Sequence, residues 1–574
     1  MRKSNDTTGA LRWISKVSGK NKLYIVLLTL IQSLIGIGGV CYALLMRSVI
    51  DCAVEKDKRR FIAFALLFVG IIIIQVLLGA VNRHFTEKAR ASTENIFKSR
   101  LFKVLLTHDY QQVSSVHTAQ WLNRLTSDTV VVADGLTQIL PGVIGMFVKM
   151  AGAGLMILIL QPILAYIMIP IGLVLLGFTY IFRRRLKYLH KRMQESDGDL
   201  RVFMQETLGS QVIVRSYSRV EEIFKITNRK MDAHLGERMN KNRFSNICNI
   251  GFSVAMYGMY VLAVVFGGIG IITNSMSYGT LTATIQLTTQ LQSPLANITG
   301  FLPKFYAMTA SAERLMEAEE IPKAVSGEVL DKQEISRFYQ NDFLGICIHD
   351  ATFTYQPPAL GYADADSRTT LALKNISLNI DKGDYIAFTG ASGCGKSTIL
   401  KLIMNLYTAD CGEILVCTSH GNVRMSNKYR KLFAYVPQGN LLMNGSIREI
   451  ITFYGDCDKE RINRALKIAC ADEFVRDLPN GIDTMLYEHG AGLSEGQMQR
   501  IAIARAIYAD CPILILDEAT SALDEQTEQK LIDNLKRMTD KTVLLVTHRM
   551  SLLDICNKKA VANKNGITVE TIGG

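Results

Sequence analysis

Residues Tyr385-Ile386-Ala387-Phe388 lead into Gly390-Ala391-Ser392-Gly393-Cys394-Gly395-Lys396-Ser397-Thr398, and a helical stretch follows from Ile399. Four apolar or aromatic residues in a row read as a buried strand. The nine that follow have the form G-x-x-x-x-G-K-[ST] between a strand and a helix, the setting in which that pattern binds phosphate. Its glycines (Gly390, Gly393, Gly395) let backbone N–H groups curl around an anion, with Ser392, Cys394 and Thr398 completing the loop. The helix N-terminus adds a favourable dipole. Lys396 is placed to reach the β- and γ-phosphates of a nucleotide, and the Ser397 hydroxyl to ligate Mg²⁺.

Outward from this loop, the chain from about Phe343 alternates β segments, Gly turns and amphipathic helices. That rhythm predicts an α/β domain with a central, largely parallel sheet. Ile513-Leu514-Ile515-Leu516 is a fully apolar strand ending in Asp517-Glu518. An acid at such a tip can hold Mg²⁺, here Asp517, and the next carboxylate, Glu518, can polarise an attacking water. Val543 to Thr547 reads as a further strand, with His548 at its end as a γ-phosphate sensor.

The other half of the chain is different in kind. Mean hydropathy is +0.17 although 20% of residues are charged, an average that points to a greasy segment joined to an ordinary globular one. The chain has 574 residues and a net charge of +12, and the basic excess lies within residues 1–340 while the remainder is slightly acidic. Apolar runs able to span a bilayer core of roughly 30 Å recur near 23–47, 60–83, 136–160, 162–182, 247–273 and 280–304. The sixth is weak, because Thr280 to Thr289 alternates hydroxyls with aliphatics. Long polar stretches separate spans two and three and spans four and five. They lack proline, keep helical periodicity (Ile96, Leu101, Val104, Leu105) and are basic near the membrane (Arg183-Arg184-Arg185, Lys191-Arg192). The positive-inside preference puts these loops and both termini in the cytoplasm. Glu55 to Arg60 sits awkwardly with that orientation, although its charges are of mixed sign.

Basic residues beside apolar spans mark a membrane flank, and no basic run is interleaved with stacking aromatics, so nucleic acid is excluded as a partner. The eleven cysteines are scattered with no C-x-x-C pair, which fits a reducing cytoplasm and no framework role. Residues 1–22 are polar and basic, a cytoplasmic segment rather than a signal peptide. Lys149 lies inside the third span, where a charge is expensive. It either faces a wet cavity and touches cargo, or snorkels, or forms an internal ion pair. The Thr284, Gln286, Thr288, Gln290 face of span six either lines a pathway or makes helix–helix hydrogen bonds.

Leu493-Ser494-Glu495-Gly496-Gln497, about twenty residues before Asp517, resembles the LSGGQ signature of ATP-binding cassette (ABC) transporters. Tyr435-Val436-Pro437-Gln438 resembles their Q-loop, Ser521-Ala522-Leu523-Asp524 the D-loop, and Thr547-His548-Arg549 the switch histidine. Tyr355 matches the adenine-stacking aromatic, and Glu488-His489-Gly490-Ala491-Gly492 the X-loop of exporters. The membrane half is similar in layout to type IV exporters. Ala119 to Asp128 resembles the stretch after the first coupling helix, and Gly209 to Val214 sits where the second would be. The resemblance implies an all-α six-helix transmembrane domain (23–310), a linker (311–340) and an α/β P-loop ATPase domain (341–574). It implies ATP and Mg²⁺ as ligands, with Ser397, Gln438 and Asp517 toward the metal and Glu518, His548 and Gln438 toward hydrolysis. Ser494, Gly496, Gln497 and Asp524 would face a nucleotide held across two subunits.

One chain offers one phosphate loop and one signature, so the resemblance implies pairing, with a second copy or with a related half-transporter. Activity would be ATP-driven export across the cytoplasmic membrane of a peptide, lipid or hydrophobic small molecule; an ATP-gated channel or regulatory subunit is the competing reading of the same fold. Three departures stand out: Glu495 replaces the second signature glycine, residues 356–370 are longer than the usual hairpin after Tyr355, and no peptidase domain precedes the first span.

Overall fold

The computed structural model describes residues 7–324, 329–355, 370–439, 442–487, 492–547, 549–563 and 566–572. They form two compact units, one of Met1–Phe102 and Leu122–Met316, the other of Lys103–Trp121 and Glu317–Gly574.

The first unit rests on six long helices: α1 (Lys22–Val54), α2 (Lys58–Thr107), α3 (Leu140–Leu160), α4 (Pro162–Gly209), α5 (Val220–Ile272) and α6 (Tyr278–Glu319). Among the described residues four helical stretches are long and apolar enough to cross a membrane: Gly9–Val54, Lys58–Thr107, Thr118–Leu160 and Val220–Ile272. These carry α1, α2, α3 and α5. The apolar run opening α4, Pro162–Gly172, is shorter. The threonines of α6 keep its hydropathy low, yet they suit an apolar surrounding. Thr282, Thr284 and Thr288 donate to the carbonyls of Tyr278, Thr280 and Thr284, each at 2.8 Å, so their hydroxyls need no water.

Glycines set the spacing of α1 against α3. A Cβ on Gly36 would lie 3.1 Å from the Gly145 carbonyl, and one on Gly145 would lie 2.9 Å from Gln32 Cβ. Small residues at such a crossing let two helix backbones approach, which drives packing where lipid removes the hydrophobic effect. Below α3, helical residues Thr118–Asp134 carry a buried polar knot. Asp128 accepts from the Ser311 hydroxyl at 2.9 Å and from Arg314 Nε at 2.8 Å, while Arg124 Nη1 donates to the Arg314 carbonyl at 2.6 Å. Elsewhere the helices present aliphatics outward, among them Leu23, Leu30, Leu66, Ile73 and Val265, as lipid-facing surfaces do.

The second unit has two principal sheets. One is antiparallel, with order β2-β1-β4-β5, formed by β1 (Phe343–Tyr355), β2 (Thr370–Asp381), β4 (Cys411–Thr418) and β5 (Gly421–Arg424). The other has order β10-β9-β3-β8-β7-β6 and comprises β3 (Tyr385–Thr389), β6 (Phe433–Val436), β7 (Ile513–Asp517), β8 (Thr542–Val546), β9 (Lys558–Asn563) and β10 (Gly566–Thr571). Its strands are parallel except for β10. Every residue of β7 and β8 is buried, because a parallel sheet is covered on both faces. The pleat divides them. Ile513, Ile515, Leu544 and Val546 join a core with α7 (Lys396–Ile403) and the antiparallel sheet. Leu514, Leu516, Val543 and Leu545 face α8 (Glu495–Ala509) and α9 (Glu525–Lys536).

Cys347 and Cys417 are joined in a disulfide, with Cα atoms 6.5 Å apart, which corrects the reading of the cysteines as having no framework role. They lie 70 residues apart in sequence, and only the pairing of β1 with β4 brings them together.

Candidate functional site

The site lies where β3 and β7 end. β3 runs into a loop whose glycines take left-handed backbone angles: φ is 132° at Gly390, 78° at Gly393 and 97° at Gly395. At two of them a side chain would also collide. A Cβ on Gly390 would strike the Ala562 carbonyl, and one on Gly395 would reach the Ala372 carbonyl at 3.1 Å and Leu373. The loop tip, Ala391 to Gly393, is exposed, while Cys394 beneath it is buried. Lys396 is 6% exposed and its ammonium donates to the carbonyls of Gly390 at 2.9 Å and Ala391 at 3.0 Å. The cation is thus curled inside its own loop.

Ser397 Oγ donates to Asp517 Oδ1 at 3.2 Å across 120 residues of sequence. Asp517 is 1% exposed, and burial pushes its carboxyl above the usual aspartate range against the lowering effect of the Ser397 and Tyr435 hydroxyls. A cation beside it would offset that desolvation. The hydroxyl and carboxylate therefore fit Mg²⁺, which keeps most of its shell as water and phosphate oxygen and takes only one or two protein carboxylates. No group of three or more His, Cys, Asp or Glu able to hold a metal occurs among the described residues.

Next to Asp517, Glu518 stands at the strand tip with φ of 52°, and its N–H donates to the Val546 carbonyl at 3.0 Å. Its Oε2 accepts from Gln438 Nε2 at 2.8 Å, so two residues 80 positions apart meet at one point. Tyr435, quoted in the sequence only as part of the Q-loop stretch, donates its hydroxyl to Asp517 Oδ2 at 3.2 Å. The register explains it: Tyr435 pairs with Ile515, one pleat before Asp517, so both side chains lie on one face.

Tyr355 is 37% exposed and its hydroxyl lies 2.9 Å from that of Thr398. Its ring packs edge-on against Tyr407 at 5.9 Å, and Tyr407 in turn stacks on Tyr110 at 5.9 Å. Tyr110 belongs to the 103–121 segment, which is anchored in this unit by the Asp109 N–H on the Pro322 carbonyl at 2.9 Å. Tyr407 and Tyr110 carried no motif and went unmarked in the sequence.

The signature residues form a second cluster. Ser494 caps α8, accepting from the Gln497 N–H at 3.3 Å while Gln497 Oε1 accepts from the Ser494 N–H at 2.9 Å. Gly496 is required by a close approach, since a Cβ there would lie 2.8 Å from the Ala522 carbonyl. Gln499, missed in the sequence, ties this cluster to the next: it donates to Ser521 Oγ at 2.9 Å and accepts from the Ala522 N–H at 3.0 Å. Asp524 caps α9 through the Thr527 N–H at 2.9 Å. Arg549 Nη2 donates to the Ser521 carbonyl at 2.9 Å and Nη1 pairs with Glu528 at 2.9 Å. Glu495 is the first, exposed residue of α8, where a carboxylate favours the helix dipole. The hydrogen bonds of Ser494 and Gln497 close within their own loop. His548, residues 488–491 of the X-loop stretch, and 356–369 of the stretch after Tyr355 lie outside the described residues.

Two family profiles match the chain: "ABC transporter transmembrane region" over residues 23–295 and "ABC transporter" over residues 373–521. The chain belongs to the ABC transporter family. Among its relatives is an ABC transporter ATP-binding protein of Bacillus subtilis, 26% identical, with 99% of this chain and 92% of the relative aligned. An ATP-dependent lipid A-core flippase of Desulfotalea psychrophila is 27% identical over 92% of this chain and 90% of its own. The ATP-dependent permease MDL1 of Candida albicans is 27% identical over 82% and 68%. In fold, the chain matches the structure of a bacterial Atm1-family ABC exporter with ATP bound, with TM-score 0.77 and 19% identity over 96% of this chain and 95% of that one. This ABC transporter chain thus joins a helical membrane domain to an ATP-binding domain of α/β fold, and it stands among exporters.

Proposed function

We propose that this ABC transporter is one half of a dimeric exporter that hydrolyses ATP at Glu518 and moves its cargo out of the cytoplasm through a membrane domain of residues 23–310. The observation that carries this reading is the meeting of Ser397 with Asp517 and of Gln438 with Glu518 beside the glycine loop, side chains of the kinds that position metal and water in phosphoryl transfer. Ser397, Asp517 and Gln438 would hold Mg²⁺, whose charge would neutralise that of the phosphates. The loop N–H groups between Gly390 and Thr398 bind phosphate oxygens, and Lys396 exchanges its two carbonyl partners for them. Glu518 takes the proton of the attacking water, and Gln438 orients its carboxylate. His548 holds the γ-phosphate end, and Tyr355 lies against the base.

Two features support pairing with a second copy. The signature cluster closes its hydrogen bonds on itself and leaves Glu495 and Ser494 facing solvent, free to meet a nucleotide on another subunit. The short helix Gln211–Ser216 exposes Val212 at 82% and Ile213 at 58%, an apolar tip that a partner would cover. Within the nucleotide unit, the Tyr110–Tyr407–Tyr355 stack gives the 103–121 segment a direct mechanical contact with the base-binding edge.

The test is ATP-driven uptake into inside-out vesicles by purified protein, with Glu518→Gln as the comparison. Hydrolysis falling by about a hundredfold or more with ATP still bound supports the assignment; undiminished hydrolysis in the variant overturns it.

A further inference from the structure

The membrane unit holds a groove of about 980 Å³ whose lining comes from α1, α2, α3, α6 and the helical turn before α3. Membrane interiors rarely carry so much polarity. Its lining includes Gln32, Gln75, Asn82, Gln138, Gln286 and Gln290. Among the described residues its charges are Arg83, Lys149 and Lys304 against the single acid Glu87, and Glu87 lies 3.8 Å from Arg90. Lys149 sits midway along the 21-residue α3. Neither Lys149 nor Arg83 has an ion pair or hydrogen bond among the described residues, which removes the internal-pair reading of Lys149. Snorkelling is poorly placed too, since a helix midpoint is the position farthest from either interface.

Uncommitted groups line the same walls. Gln75 Nε2, Asn82 Oδ1 and Gln290 Oε1 are buried with no partner among the described residues, although Gln290 Nε2 donates to the Gly39 carbonyl at 2.6 Å. Buried polar atoms without partners are costly, and those that persist have a use. The former Thr/Gln face of α6 therefore divides. Its threonines bond their own helix, while Gln286 and Gln290 face the groove.

We propose that this groove is the cargo site and selects an anionic group that also carries hydrogen-bond donors, with Lys149 as the cation that binds it. Lys149 and Gln75 Nε2 donate to its anionic oxygens, and Gln290 Oε1 and Asn82 Oδ1 accept from its hydroxyl or amide groups. Arg83 and Lys304, at the ends of the spans on the loop side, attract it into the mouth. Phe301 and Met146 offer apolar contact for the rest of the molecule. The required chemistry is a phosphate or carboxylate beside N–H or O–H groups, whether on a lipid head group or on a soluble acidic molecule. The proposal rests on the exporter reading.

Binding is measured directly on the full-length protein in phosphatidylcholine nanodiscs, without ATP. One pair of probes is a fluorescent short-chain phosphatidylglycerol and the matching neutral glyceride. The other is a dansylated Glu-Ser-Glu tripeptide and its Gln-Ser-Gln counterpart. The expectation is that at least one anionic probe binds about tenfold or more tighter than its neutral match. Lys149→Gln should remove that margin and Lys149→Arg should restore it. Whichever pair responds tells a lipid from a soluble source. Equal binding of anionic and neutral probes, no binding of either anion, or an unchanged margin in Lys149→Gln overturns the proposal. If Lys149→Gln does not fold, judged by thermal unfolding, Lys304→Gln replaces it and should narrow the margin about threefold, no narrowing counting against the site. Probe-free ATPase of the wild type is read in parallel: its absence sinks the exporter reading, whereas turnover with no anion preference sinks only this one.

Discussion

The two units of this ABC transporter solve the burial of polar groups in opposite ways. In the nucleotide unit the charges of the site find partners among the described residues: buried Lys396 has two carbonyls, buried Asp517 has two hydroxyls, and half-buried Glu518 has an amide. In the membrane unit the groove keeps Lys149, Gln75, Asn82 and part of Gln290 uncommitted. The candidate ATP site resembles a closed network that ligand entry would have to rearrange. The groove is an open set of donors and acceptors awaiting a partner, and a site that must both load and release cargo gains from holding its groups unpaired in between.

Three substitutions probe this contrast, beginning with the largest effect. Lys396→Ala removes the cation nearest the phosphates, and ATP hydrolysis should fall by about a hundredfold or more. Steady-state ATPase checks it, and retention of more than a tenth of the activity would break the claim that the loop network is the catalytic one. Asp128→Ala acts in the membrane unit where polarity is structural. It leaves Arg314 without its carboxylate, and because Arg314 is about a third exposed the loss should be about 2 kcal/mol rather than the full penalty of a buried pair. Thermal unfolding in detergent should show it as a lowered midpoint, whereas anionic-probe binding should keep its margin. Tyr435→Phe is the mildest: one hydroxyl on Asp517 is worth about 1 kcal/mol, so the Mg²⁺ concentration giving half-maximal ATPase should shift several-fold while the fold is kept. A shift of the same size in Lys149→Gln would erase the distinction between the two units.

The legibility of the molecule followed locality. The phosphate loop could be read because its nine residues are contiguous and each has one job. The Asp517–Glu518 tip could be read because a run of four aliphatics announces a strand buried on both faces. Six helices and their order were legible from hydropathy and charge, even where α6 is thinned by threonine. Partners distant in sequence were not. Tyr435 was quoted only as part of the stretch resembling a Q-loop, and its pairing with Ile515 is what puts it on the face of Asp517. Gln499 looked like one polar residue in a helix until it bridged to Ser521 and Ala522. Cys347 and Cys417 looked unrelated until β1 lay beside β4.

By itself the sequence determined the two-part plan, the ATP-binding domain and the family, because contiguous motifs and 20-residue apolar runs depend on backbone geometry that any short segment carries within it. Only the tertiary structure decided the fate of the lone polar groups. Whether Lys149 meets an acid, and which face of α6 turns inward, depends on what four helices bring to one groove, and no spacing along a single helix contains that information. Glycine-mediated contact of α1 with α3 brings the two helices together beside a groove in which, among the described residues, Lys149 has no ion pair.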